Sequence, residues 1–69
     1  MDEDFEVKTF TPQQARRWSG VTAKRIAERL GVSYATYNNK ESGKSKFYVC
    51  EALLFAEIVG IPFGNIKWK

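Results

Sequence analysis

The stretch from Thr22 to Gly43 constrains this chain more than any other. Ala23, Ile26, Ala27 and Leu30 fall at i, i+3, i+4 and i+7, the single apolar stripe of an amphipathic helix. Thr22 stands where an N-cap hydroxyl accepts a backbone N–H, and Gly31 is the residue that lets a helix end in the left-handed conformation. Val32 then packs back, and Ser33 caps a second helix that begins at Tyr34. Ala27 is small and faces that second helix, and Gly31 follows four residues later. Two short helices can therefore meet at a steep angle across a tight turn.

The rest of the chain is punctuated in the same way. Thr11 as N-cap, Pro12 at the first helical position and Phe10 before them predict a first helix that runs to about Ser19 and stops at Gly20. The third helix is expected over about Ser33 to Lys40, with Glu41 to Ser45 as the loop after it. From about Tyr48 to Val59 the residues are almost all apolar. Such a helix is either central and buried or carries a second face for a partner. Within it Cys50 is expected to be a small packed hydrophobe, and Tyr37, Phe47, Phe55 and Phe63 are expected to be core aromatics. Gly60 ends this helix, and Ile61-Pro62 can start a short fifth turn through Asn65 or Ile66. Phe5-Glu6-Val7 and Ile66-Lys67-Trp68 both alternate apolar and polar residues. These ends could pair with each other or with a second subunit.

Sixty-nine residues make one domain with one small core, and 43% apolar content supports a globular chain. No apolar run reaches membrane-span length, and an acidic Met1-Asp2-Glu3-Asp4 start has the wrong charge for a secretory signal. One cysteine suits a reducing cytoplasm. The net charge of +3 hides an asymmetry. Residues 1–8 read as an acidic tail, with four acids against Lys8, whereas residues 9–69 carry ten Lys or Arg against four Glu. The folded part is basic and favours a polyanionic partner.

Catalysis has little to work with. There is no His, and the two Asp residues lie in the acidic tail. The four glutamates beyond it are spread over different faces, so no paired carboxylates and no metal cluster are expected. Neither an enzyme activity, a cofactor nor a small-molecule substrate is indicated.

The stretch from Thr22 to Gly43 resembles the helix-turn-helix of the phage Cro and repressor family. Ala27, Gly31, Val32 and Ser33 match its fifth, ninth, tenth and eleventh positions, and Leu30, Glu41 and Gly43 fit around them. The similarity continues without gaps through Phe55, Ala56, Val59, Gly60 and Ile61, so it covers roughly residues 11 to 61. Three positions depart from the family pattern: Ala23 replaces a common Gln, Tyr37 a Val or Ile, and Lys40 a bulky apolar residue.

The resemblance implies an all-α, four- to five-helix lambda-repressor-like domain, with short extended segments possible at either end. It also implies a helix that enters the major groove of operator DNA. On the family's pattern Ser33, Tyr34, Ala35, Asn38 and Asn39 face base edges. An Asn can pair bidentately with adenine, and the Ala35 methyl can touch a thymine methyl. The family also pairs a helix-one arginine with the glutamate after the reading helix, here Arg16 and Glu41. That leaves Arg17 as the outward basic residue. Phosphate contacts are expected from Arg17, Lys40, Lys44 and Lys46, from the Ser42 and Ser45 hydroxyls, and from the amides near Thr22 and Ala23.

The expected function is therefore a Cro-like or repressor-like transcriptional regulator of phage or prophage type. It would act in the cytoplasm of a bacterial cell or phage-infected host and bind duplex DNA as a homodimer. The exposed part of the fourth helix and Phe63, Ile66 and Trp68 are the candidate dimer surface. The rival reading is a protein-interaction module on the same fold, an antitoxin or anti-repressor. A third, non-specific DNA packaging, predicts no preference among sequences.

Overall fold

Each helix begins at a residue whose side chain or backbone is suited to start one, and the spacing of those starts sets the architecture. The computed structural model describes residues 9–68, so the acidic segment 1–8 and its Phe5-Glu6-Val7 alternation lie outside the described residues. Four α-helices follow in order: α1 Pro12–Ser19, α2 Ala23–Leu30, α3 Tyr34–Ser42 and α4 Val49–Val59. A 3-10 turn over Phe63–Asn65 follows α4. Among the described residues there is no strand, only one isolated parallel bridge. The domain is all-helical.

Local chemistry accounts for the starts. Thr11 Oγ1 accepts from the Gln14 N–H at 3.1 Å and Gln14 Oε1 accepts from the Thr11 N–H at 3.0 Å, a reciprocal capping box. The hydroxyls of Thr22 and Ser33 accept from the Arg25 and Thr36 N–H groups in the same way. At Gly31 φ is +77°, and the Val32 N–H reaches back to the Ala27 carbonyl at 3.1 Å. A Cβ at Gly31 would meet nothing within 4 Å. Glycine is needed there for its backbone conformation and not for space.

The core lies where all four helices converge. Ala15, Ile26, Tyr37 and Phe55 are fully enclosed, with Ala27, Val59, Ile61 and Ile66 close behind. Tyr37 and Phe55 stack at 6.4 Å between ring centroids, and Phe47 packs obliquely on Phe55 at 5.6 Å. Removing a ring such as Phe55 from a site like this costs about 3–5 kcal/mol.

Four expectations need correction. First, α3 continues to Ser42, two residues beyond Lys40, because Gly43 with φ +93° supplies the stop. Second, Cys50 is exposed, and so is Phe63, at 42% of its surface. A nearly all-apolar helix gives no periodicity from which to choose its buried face, and α4 turns Ala52, Phe55, Ala56 and Val59 inward. Third, the alternating C-terminal segment pairs, among the described residues, with Phe10, a partner outside the expected ones. The Phe10 N–H donates to the Asn65 carbonyl at 2.9 Å and the Lys67 N–H to the Phe10 carbonyl at 2.7 Å.

The fourth correction concerns the dimer candidates. Pairing with Phe10 carries Ile66 into the core at 5% exposure. Trp68 sets its ring edge-on against Phe47 and Phe55, at 5.2 and 5.6 Å, and donates its indole N–H to the Phe63 carbonyl. Ile66 is thus inside its own domain and offers no face to a second copy, and Trp68 spends part of its surface there.

Candidate nucleic-acid interface

The first turn of α3 is open and its last two turns are anchored. Ser33, Tyr34, Ala35 and Thr36 are all exposed, Tyr34 to 56%. The Ser33 hydroxyl donates to Thr36 Oγ1 at 2.9 Å, so the cap also fixes the Thr36 rotamer. One turn on, Asn38 is half-buried and Asn39 exposed. Both line a shallow groove with Gln13, Glu41, Ser42 and Lys44. Five side chains expected at base edges therefore lie on or beside one accessible helix face. Donors, acceptors and a methyl are all represented there.

Sequence reasoning missed three neighbours of this face. Thr36 is exposed between the expected readers. Gln13, at the start of α1, shares the groove of Asn38 and Lys44. Lys67 flanks a second hollow with Thr11, Pro12, Gln13, Ser42 and Gly43. The α3 periodicity could have found Thr36. Gln13 and Lys67 arrive through tertiary packing, which no local signal announces.

The other end of α3 is held by Glu41. Arg16 Nε donates to Glu41 Oε2 at 2.6 Å and Arg16 Nη2 to Oε1 at 3.4 Å, while the Tyr37 hydroxyl donates to Oε2 at 2.8 Å. The Glu41 side chain is only 7% exposed, so this forked ion pair ties α1 to α3 from within. The hydrogen bond to Glu41 holds the Arg16 guanidinium above its ordinary value, against the opposing effect of burial. Burial first, and then the bond to Glu41, push the Tyr37 phenol far above its usual range.

Lys40 requires a correction. It was expected on the DNA side, but it is 7% exposed, the one buried charged residue among those described. Its Nζ donates to the Lys46 carbonyl at 3.0 Å, meets Glu51 Oε1 at 3.0 Å and sits 4.5 Å above the Tyr48 ring. Glu51 Oε1 also accepts the Tyr48 N–H at 3.0 Å, capping the start of α4. Burial pushes the Glu51 carboxyl upward, but the Tyr48 amide and the Lys40 ammonium outweigh it and hold the group below its ordinary value. The position wants a buried side chain, and a lysine fits only because its charge is fully engaged. Lys40 cannot reach phosphate without leaving that nest.

The remaining cations stay outside. Arg17, Lys44 and Lys46 are exposed, as are Ser42 and Ser45. The Ser42 hydroxyl donates to the Asn39 carbonyl at 3.2 Å, and the Lys44 and Ser45 N–H groups converge on that same oxygen. At α2, Thr22 is exposed, whereas the Ala23 side chain is buried and leaves only its backbone amide for an anion. Arg25 and Arg29 line a hollow beside Thr22 that Glu57 and Ile58 close on the α4 side.

No group of three or more His, Cys, Asp or Glu among the described residues could hold a metal ion. No helix among them is long and apolar enough to cross a membrane. No family model, curated protein or solved structure matches the chain.

Proposed function

We propose that this chain is a sequence-specific DNA-binding regulator of the Cro-like or repressor-like kind, not an enzyme, which works in the bacterial cytoplasm and reads operator DNA with α3. The observation that carries this reading is the division of α3. Its first turn exposes every side chain, while Tyr37, Lys40 and Glu41 anchor the remainder. A helix held by its tail presents its head in a fixed orientation, as insertion into a major groove requires. Arg17, Lys44 and Lys46 are exposed and free to contact phosphates.

Operators of such regulators are two-fold, with half-sites about 34 Å apart. Of the surfaces considered for a second copy, Val49 at 72% and Leu53 at 53% exposure on α4, with Phe63, remain outside the domain's own core. The same exposed pair supports the second reading, a protein-interaction module with α4 as its contact face. Selection from a random duplex pool, followed by titration across salt, separates the two. The DNA reading expects a preferred site and a steep fall of affinity with salt. Absence of salt-dependent retention would leave the interaction module.

A further inference from the structure

We propose that Lys40 is a positioning residue for the DNA backbone contact: it touches no phosphate itself but fixes the loop from which Lys46 does so. The proposal rests on the DNA-binding reading above. It starts from the path of the chain between α3 and α4. The loop is fastened at its beginning by the Lys44 and Ser45 N–H groups, which donate to the Asn39 carbonyl at 2.9 and 3.1 Å. It is fastened at its end by Phe47, whose ring packs against Tyr37, Phe55 and Trp68. Between these points the contact that holds the backbone of Lys46 is the bond from Lys40 Nζ to its carbonyl.

Two physical consequences follow. A carbonyl held from inside leaves the Lys46 side chain on the outer side of the loop. It also orders that backbone before any partner arrives, which lowers the entropic cost of the contact. Electrostatics works in the same direction. Lys40, Lys44 and Lys46 lie within one short segment, and three unpaired ammonium groups there would repel one another. Pairing with Glu51 and the face of Tyr48 neutralises the inner one and leaves two outward charges.

The test is a salt titration of DNA binding for wild type, Lys40→Met, the double variant Lys44→Ala/Lys46→Ala, and the triple combination. It is run on the selected duplex at a temperature where circular dichroism shows each protein folded. Each phosphate contact contributes about 0.9 to the slope of log affinity against log salt. Lys40→Met is expected to flatten the slope by about 0.9, the contact made by Lys46. The double variant should flatten it by about 1.8, and adding Lys40→Met to it should change the slope no further. Lys40→Arg, which can still donate to both the carbonyl and Glu51, should restore the wild-type slope. Where the Met variant fails to fold, Lys40→Met/Glu51→Gln, which leaves no carboxylate stranded, replaces it with the same expectation.

A wild-type slope in Lys40→Met would overturn the inference and leave Lys40 purely structural. A further flattening of about 0.9 in the triple variant would also overturn it, since Lys40 would then touch phosphate directly. A wild-type protein without salt-dependent binding would remove the DNA-binding reading itself, and this inference with it.

Discussion

From Ser33 to Thr36, α3 exposes every side chain, whereas from Tyr37 to Glu41 it buries Tyr37 and Lys40 and locks Glu41 into an ion pair. In the exposed turn the side-chain hydrogen bonds are those of its cap, in which the Ser33 hydroxyl is bonded to the Thr36 N–H and hydroxyl. The anchored end is tied on two sides by consecutive residues of opposite charge. Glu41 reaches Arg16 on α1, and Lys40 reaches Glu51 on α4. One helix thus carries its stability at one end and its variable chemistry at the other. Substitutions in the tail should cost folding free energy, and substitutions toward the head should cost recognition alone.

The largest effect belongs to the tail. Glu41→Gln removes the charge that compensates Arg16 and strands a guanidinium whose side chain is only 16% exposed. Breaking a buried pair in this way costs about 3–5 kcal/mol. Thermal unfolding should show a large drop in midpoint for Glu41→Gln. Glu57→Gln, on the exposed side of α4, should stay within about 0.5 kcal/mol of wild type. Equal small shifts in both variants would mean that the anchored end is not anchored by charge.

The two anchors differ in how far they could be read from the sequence. Arg16 and Glu41 were expected as partners from the resemblance alone. Lys40 was misplaced because lysine is rarely buried and because two further lysines follow it. A signal was nevertheless present: Lys40 stands three residues after Tyr37, on the same inward face of α3. A charged residue there needs a partner, and Glu51 opens the next helix. The helix starts were legible because capping and left-handed glycine act within a few residues. The placement of Ile66, Trp68 and Phe63 was not. Alternation gives the period of an extended segment but not its partner, and the partner proved to be Phe10. Gln13 and Lys67 reached the candidate interface through the same long-range packing.

Asn38 sits on the border between the two halves, so it sharpens the comparison. It is half-buried and borders the groove of Lys44 and Gln13. If it behaves as part of the head, Asn38→Ala should cost about 1–3 kcal/mol on the preferred duplex and relax the choice at one base pair per half-site. The unfolding midpoint should hardly move. Titration against all single-base variants of the site checks this. A uniform loss across every variant would assign Asn38 to backbone positioning, and a loss of stability without loss of specificity would move it into the tail.

The smallest expected effect tests the tail through its proton, not its charge pair. Tyr37 is fully enclosed and donates its hydroxyl proton to Glu41, so ionising it would bury a second negative charge beside the carboxylate. Its folded-state pKa is therefore raised far above that of the unfolded chain, where a tyrosine titrates near about 10. Below that pH the phenol is protonated in both states, and its contribution to stability is fully present. Above it the unfolded chain releases a proton that the folded protein keeps, so stability falls with rising pH by about 1.4 kcal/mol per unit. Tyr37→Phe removes this linkage along with one hydrogen bond worth about 1 kcal/mol at every pH. Denaturant unfolding between pH 8 and 11.5 should therefore show wild type and Tyr37→Phe running parallel up to about pH 10, meeting roughly half a pH unit above it and crossing beyond, with the Phe variant the more stable at the top of the range. The other titrating groups are common to both proteins and cancel in the difference. Curves that stay parallel to the top of the range would mean that the hydroxyl loses its proton as readily in the fold as in the open chain. The seal around Glu41 would then be looser than its hydrogen bonds imply.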